Sequence, residues 1–198
     1  YSRRGFACAF RHERQSAWFA GIEAAFVHFG GRPQTLLIDN AKALVDKHDT
    51  QTRQVRLNSR FEAFCRHWDI RAKACAPFRA RTKGKTESGV GYGQRQLQGL
   101  RFETLADAQA YLDHWEAKWA STRIHGSTRR QVAGAFTDEK PYLRPLPLEP
   151  FRYYRYGART VHLDGGIEIE AAYYAAPPGF ISKRVHVQWD DVRVRILD

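Results

Sequence analysis

The hydrophobic positions change their rhythm along the chain. In the first part they recur at helical spacing or in short unbroken runs. Near the end they alternate. Trp18, Phe19, Ile22, Ala25, Phe26 and Phe29 follow helical spacing and predict a helix. Ser16 is its expected N-cap, and Gly30-Gly31-Arg32-Pro33 its stop. Before it, Phe6-Ala7-Cys8-Ala9-Phe10 reads as a strand between arginine clusters. After it, Thr35-Leu36-Leu37-Ile38 is a continuous apolar run, the pattern of a strand buried on both faces of a parallel sheet. Ala41 to Asn58 is polar and weakly patterned, either a loop or a meandering hairpin around Val45 and Val55. Ser59 or Asn58 caps the next helix, with Phe61, Phe64, Cys65 and Trp68 on its apolar face. Ile70 to Ala76 reads as a strand, closed by Pro77.

A helix is expected from about Lys83 to Gln98, although Gly89, Gly91 and Gly93 each cost it about 1 kcal/mol relative to Ala. Thr104-Leu105-Ala106-Asp107 has the form of a capping box with Asp in the Glu position. The stripe Leu105, Ala108, Tyr111, Leu112, Trp115 and Trp119 then reads as a core face. Arg123 to Arg130 is expected to be a polar basic loop. Pro141, Pro145, Pro147 and Pro150 mark a semi-rigid linker and a boundary. Beyond it, two hairpins are expected. One pairs 160–163 with 167–169 around Asp164-Gly165-Gly166; the other pairs 185–189 with 192–196. Strands this short and closely spaced suggest a small barrel.

Composition adds a partner. The formal net charge is +11 and the cations recur along the whole chain, interleaved with aromatic residues. Arginine beside aromatic rings suits phosphate contact and base stacking, so nucleic acid is the expected ligand. No apolar run approaches the roughly 20 residues that span a bilayer, and no signal peptide opens the chain. A cytoplasmic, nucleoid-associated protein is the expectation. Cys8, Cys65 and Cys75 are widely spaced and fit neither a disulfide framework nor a zinc site. All three read as small buried residues. The absence of Met and the opening on Tyr1 suggest a piece of a longer polypeptide.

Two acids stand out. Asp39 follows the apolar run 35–38, and Glu87 sits behind the cations Arg79, Arg81, Lys83 and Lys85. Ligands and catalytic groups gather at the carboxyl ends of strands in open α/β sheets. Carboxylates that hold two divalent ions can activate water and stabilise a leaving oxygen at a phosphodiester. Each acid also has an ordinary alternative, as a turn residue or an ion-pair partner. The order strand-Asp, helix, strand, basic loop, helix-Glu favours a nuclease-type α/β fold.

In its motifs the chain resembles the retroviral-integrase-like DDE transposases, and among them the IstA-type transposases of bacterial insertion sequences. The residues that carry the resemblance are Leu37-Ile38-Asp39-Asn40, Lys83-Gly84-Lys85-Thr86-Glu87, Val90-Gly91-Tyr92, Arg123, His125-Gly126, Thr128 and Leu143-Arg144-Pro145-Leu146-Pro147. It implies an α/β RNase H-like integrase catalytic core, incomplete at its N-terminus, over residues 1–122. A basic, Pro-rich linker follows over 123–150, then a small all-β SH3-like barrel over 151–198. It implies a DNA transposase or integrase activity, with metal-dependent strand cleavage followed by strand transfer. Asp39 and Glu87 would be catalytic and metal-binding, on a two-metal site of Mg2+ or Mn2+. For DNA contact, Asn40 would line the site, and Lys83 and Lys85 would meet phosphates. Arg79, Arg81, Arg123, His125, Arg129 and Arg130 are further expected DNA contacts, and Arg193 and Arg195, alternating with Val192, Val194 and Ile196, form either a DNA-facing strand or a solvated outer face. The implied partners are transposon-end and target DNA, further copies of the chain on DNA, and a helper ATPase of the IstB type.

The first acid of the family's triad belongs on a strand before Tyr1, and Asp46, Asp49 and Asp69 are misplaced to replace it. Val132-Ala133-Gly134 stands where relatives often carry Pro-x-Glu. A fragment or decayed copy, inactive by itself, is therefore expected. The alternatives are a non-catalytic DNA-binding remnant and an RNase H-like nuclease.

Overall fold

The computed structural model describes residues 1–49, 52, 54–75, 97–190 and 192–197. The chain is α/β and divides into two compact units, Tyr1–Pro150 and Phe151–Asp198.

The first unit is built on aromatic packing between two helices. Helix α1 spans Gln15–Phe29, one residue ahead of the expected Ser16 cap. Its start is held instead by Gln15, whose side chain donates to the Ala43 carbonyl at 2.6 Å and to Asn58 Oδ1 at 2.8 Å. It ends at Gly30, left-handed with φ 70°, a backbone state that glycine adopts without a Cβ penalty. Helix α2 spans Ser59–His67, and Asn58 caps it by accepting from the Arg60 N–H. Phe19 of α1 stacks on Phe64 at 4.8 Å, and Phe26 meets Trp68 edge-on at 5.1 Å. Phe61 and Phe64 are fully buried. The other side of α1 faces an open cavity of about 940 Å3, with Phe6, Phe10, Leu36 and Phe136 among its walls.

Strand β1, Thr35–Ile38, runs parallel to a strand at Arg71–Ala74, with Ile38 opposite Ala74. Between them Val45–His48 (β2) and Val55–Leu57 (β3) form an antiparallel hairpin, so the polar stretch is a hairpin and not a loop. The strand at Arg71–Ala74 is β4. β1 is not buried on both faces as expected: Leu37 is 46% exposed.

The expected strand at Phe6–Phe10 does not form. A side chain takes the role of a neighbouring strand. Gln109 accepts from the Ala9 N–H at 2.9 Å and donates to the Ala7 carbonyl at 3.1 Å. Cys8 in this segment is exposed, against expectation, while Cys65 and Cys75 are buried. Burial, with nearby Glu62, pushes the Cys65 thiol up to about 11.

Gln109 lies on helix α3, Leu105–Trp115, and the Thr104–Asp107 capping box forms in both directions. A π-helical turn, Glu116–Ala120, continues α3. It inserts one residue into the helical repeat. Trp119 is thereby rotated off the stripe and is 66% exposed, whereas Leu112 is buried. The same turn carries Glu116 inside. Ser121 Oγ donates to Glu116 at 2.5 Å, and Arg4 Nε approaches it at 3.4 Å.

The expected basic loop is a small hairpin, Ile124–His125 (β5) with Arg130–Gln131 (β6), leading into helix α4, Val132–Glu139. The chain then returns to the end of α1. Arg32 and Arg144 exchange both backbone hydrogen bonds, at 2.9 and 2.8 Å. Asp69 accepts from both guanidinium groups.

Among its described residues the second unit has five strands: β7 Arg155–Thr160, β8 Gly166–Ile169, β9 Ala172–Ala175, β10 Arg184–Trp189 and β11 Val194–Leu197. An antiparallel sheet has the order β11-β10-β7, and β8 with β9 forms a separate hairpin. The β10–β11 hairpin matches the pattern in the sequence. Of the other expected hairpin only the turn forms, with the His162 N–H donating to the Gly166 carbonyl and the Gly165 N–H to the His162 carbonyl, both at 2.9 Å; the strands pair elsewhere, β7 with β10, and β8 turns into β9 at Glu170 and Ala171. Both adopt positive φ, 50° and 63°, as a two-residue primed turn requires. Neither is the Gly or Asn that would have announced it. Val161, Ile167, Ile169, Val185, Val187 and Trp189 form the core. Among the described residues the strands do not close into a barrel.

Candidate functional site

The parallel pair brings two strand ends together. Ile38 is buried and anchors β1, so the next residue emerges at the strand's carboxyl end. That residue is Asp39, exposed, with Oδ1 accepting from the Asn40 N–H at 2.7 Å. The ladder continues past it, where the Cys75 N–H donates to the Ile38 carbonyl at 2.9 Å.

Asn40 ties the end of β1 to both neighbours. Its Nδ2 donates to the Cys75 carbonyl at 3.0 Å, and its Oδ1 lies 2.8 Å from His48 Nδ1. Because Oδ1 can only accept, His48 Nδ1 must be the donor. One amide therefore joins β1, the residue after β4, and the β2–β3 hairpin. Asn40 was expected at the DNA; its side chain is engaged within the fold. His48 went unnoticed in the sequence, where it is one polar residue in a polar stretch.

Glu87, Arg79, Arg81, Lys83 and Lys85 lie outside the described residues. Asp39 supplies one hard oxygen donor of the kind Mg2+ takes. Among the described residues no group of three or more His, Cys, Asp or Glu side chains is placed to hold a metal ion.

Arg123, His125, Arg129 and Arg130 come together at the β5–β6 hairpin. Arg129 takes φ 50° in its turn, and its N–H donates to the His125 carbonyl at 2.7 Å. His125 Nδ1 lies 3.1 Å from Ser127 Oγ. Arg129 is exposed. Arg130 is engaged by Asp138 at 2.5 Å and by the Tyr1 hydroxyl at 2.6 Å. Those two bonds, Asp138 first, raise its already high pKa.

Arg193 and Arg195 lie in the second unit, and both are exposed. Arg195 stands over the Tyr154 ring, 5.4 Å from its centroid. Among the described residues no helix is long and apolar enough to cross a membrane.

No protein-family model matches the sequence. Individual proteins do. The chain is 30% identical over 190 residues to the transposase for insertion sequence element IS21 of Pseudomonas aeruginosa, covering 95% of this chain and 48% of that protein. It is 33% identical over 150 residues to the transposase for insertion sequences IS1326/IS1353 of the same species, covering 74% and 29%. It is 36% identical over 107 residues to the transposase for insertion sequence element IS640 of Shigella sonnei, covering 53% and 33%. Among solved structures, one chain of the simian T-cell lymphotropic virus intasome, in complex with PP2A regulatory subunit B56 gamma, aligns with TM-score 0.45 and 15% identity. That alignment covers 95% of this chain and 63% of that one, a likeness below the level that establishes a shared fold. The chain thus spans about half the length of the IS21 protein and less of the other two. By sequence, the chain is related to the transposases of bacterial insertion sequences.

Proposed function

We propose that this chain is the catalytic-core segment of a DNA transposase that cleaves DNA strands with divalent metal and transfers them to a target. The observation that carries this reading is Asp39, exposed at the carboxyl end of a parallel β-strand, in a chain related to insertion-sequence transposases. The core is RNase H-like, and the unit from Phe151 is an open relative of an SH3-like barrel. In domain terms, 1–122 is the core, 123–150 the basic linker and 151–198 the β-rich end.

Asp39 and Glu87 are the proposed ligands for Mg2+ or Mn2+. Bound there, such ions would lower the pKa of an attacking water or hydroxyl and neutralise charge on the phosphodiester. Lys83 and Lys85 beside Glu87, and Arg123, His125 and Arg129 on the hairpin, hold the DNA backbone. The net charge of +11 supports a polyanionic ligand. Several copies acting on paired DNA ends, with a helper ATPase, complete the proposal.

The test is metal-dependent cleavage of insertion-sequence-end DNA by the protein in its full reading frame. Asp39→Asn and Glu87→Gln should each abolish cleavage while DNA affinity changes little. Cleavage that survives both substitutions would falsify the assignment. Preference for an RNA–DNA hybrid over duplex DNA would instead favour an RNase H-like nuclease.

A further inference from the structure

The three-stranded sheet of the second unit has one face in the core and one in solvent. Val185, Val187 and Trp189 of β10 point inward. The alternate residues, Arg184, His186 and Gln188, therefore point outward. Residues directly opposite across an antiparallel pair share a face. The register puts Tyr156 and Arg195 on either side of Gln188, Ala158 and Leu197 on either side of His186, and Thr160 opposite Arg184.

The first of these rows is a connected unit. Gln188 Nε2 donates to the Tyr156 hydroxyl at 2.8 Å. Arg195 Nη1 reaches Gln188 Oε1 at 3.4 Å, and its guanidinium covers the Tyr154 ring. The phenol of Tyr156 is held by its oxygen, yet the residue is 70% exposed. Its neighbour on the same face, Ala158, is too small to cover the ring.

Among the described residues the charge on this face has one sign. Arg184 and Arg195 lie on it, with Arg193 at its edge, and all three are exposed. The unit's described acids are elsewhere. Asp164 and Asp190 accept backbone N–H groups within turns. Glu168 lies on the β8–β9 hairpin. Glu170 binds Arg155 and Trp189.

We infer that this outer sheet face is a binding platform for an unpaired DNA strand, with a base stacked on Tyr156 and phosphates on Arg195 and Arg184. A sheet face with exposed aromatics beside cations suits splayed bases, because every base offers a π-face and the backbone offers charge. Bases inside a duplex are already stacked on their neighbours and cannot reach the ring. Along β7, Tyr156 and Thr160 are about 14 Å apart, room for on the order of two nucleotides. The choice of DNA over RNA rests on the transposase reading proposed above; the stacking itself does not.

The experiment is fluorescence anisotropy on the 198-residue chain. The probes are a short labelled thymidine strand, an abasic strand of equal length, a uridine strand and a duplex. The wild-type chain should bind the thymidine strand about tenfold more tightly than the abasic strand. Tyr156→Ala should erase that difference, whereas Tyr156→Phe should retain it. Arg195→Ala should weaken both strands alike and lower the salt slope by about one. Equal wild-type affinity for thymidine and abasic strands would overturn the platform, and that measurement needs no variant to fold. So would a Tyr156→Ala chain that still discriminates, or duplex bound more tightly than the thymidine strand. A preference for uridine, or failed metal-dependent cleavage with stacking intact, would overturn the transposase reading alone.

Discussion

Asn40 donates to the Cys75 carbonyl at 3.0 Å and so fastens the carboxyl ends of two parallel strands beside the exposed Asp39. Its other amide atom holds His48. The proposed metal ligand and the clasp that positions its strand are thus adjacent residues with separable jobs. Asn40→Ala removes both bonds and leaves the Cys75 carbonyl and His48 without this partner. It should destabilise the chain by about 1–3 kcal/mol, read from urea unfolding. Asp39→Asn keeps an oxygen that can accept from the Asn40 N–H and should cost less than Asn40→Ala. If the two substitutions cost the same, the clasp is not structural.

Gly31 is needed for its lack of a side chain. A Cβ there would meet Leu143 Cβ at 2.7 Å and the Arg144 carbonyl oxygen at 2.9 Å. The second contact is backbone and cannot rotate away. Gly31→Ala should therefore push the 143–144 segment off Arg32 and cost about 1–3 kcal/mol. Amide exchange at Arg32 and Arg144, which bond each other, should rise with it. Unchanged exchange at both would contradict the close approach.

Leu112 and Trp119 share one apolar stripe in the sequence but not in the fold. Leu112→Ala should cost about 2–5 kcal/mol, as for other buried leucines. Trp119→Ala should change stability by no more than about 0.5 kcal/mol. Glu116→Ala deprives Ser121 and Arg4 of their acceptor and should cost about 1–3 kcal/mol. Parallel thermal melts of the three variants separate these expectations, and a large loss for Trp119→Ala would refute the rotation produced by the π turn.

Asp190 makes the second unit acid-sensitive. Burial raises its carboxyl pKa, but N–H bonds from Val192 and Arg193 and the charges of Arg152 and Arg193 outweigh that. The folded value lies below the ordinary 3.8. The unfolded chain then takes up this proton first, so the stabilisation is complete above the ordinary value and lost as pH falls through the folded one. Asp190→Asn keeps an acceptor oxygen and removes the titration. Urea midpoints measured at falling pH should drop less steeply for the variant below about pH 4. Identical slopes would show that this carboxylate does not contribute.

Much of the local structure was legible from pattern. The helix at 15–29, the Thr104–Asp107 cap and the β10–β11 hairpin depend on neighbours a few residues apart, and each formed. Asp39 at a strand end was legible for the same reason, as the first polar residue after an apolar run. The strand expected at Phe6–Phe10 was not, because its hydrogen bonds went to Gln109, about a hundred residues away in sequence. Nor was the hairpin of β8 with β9, whose turn residues Glu170 and Ala171 carry no turn signature. The joining of Asn40 to His48 and Cys75, and of Tyr156 to Gln188 and Arg195, depends on which strands become neighbours.

The sequence by itself determined where apolar sides and polar breaks fall, since those follow from periods of two and 3.6 residues. Tertiary structure alone decided which backbone groups those segments would pair with. Unmet N–H and carbonyl groups are costly wherever they are buried, and several partners can satisfy them equally well. The choice among those partners was made by long-range packing: Glu116 drawn inward to Arg4 and Ser121 at the π turn, and β7 paired with β10 over Trp189.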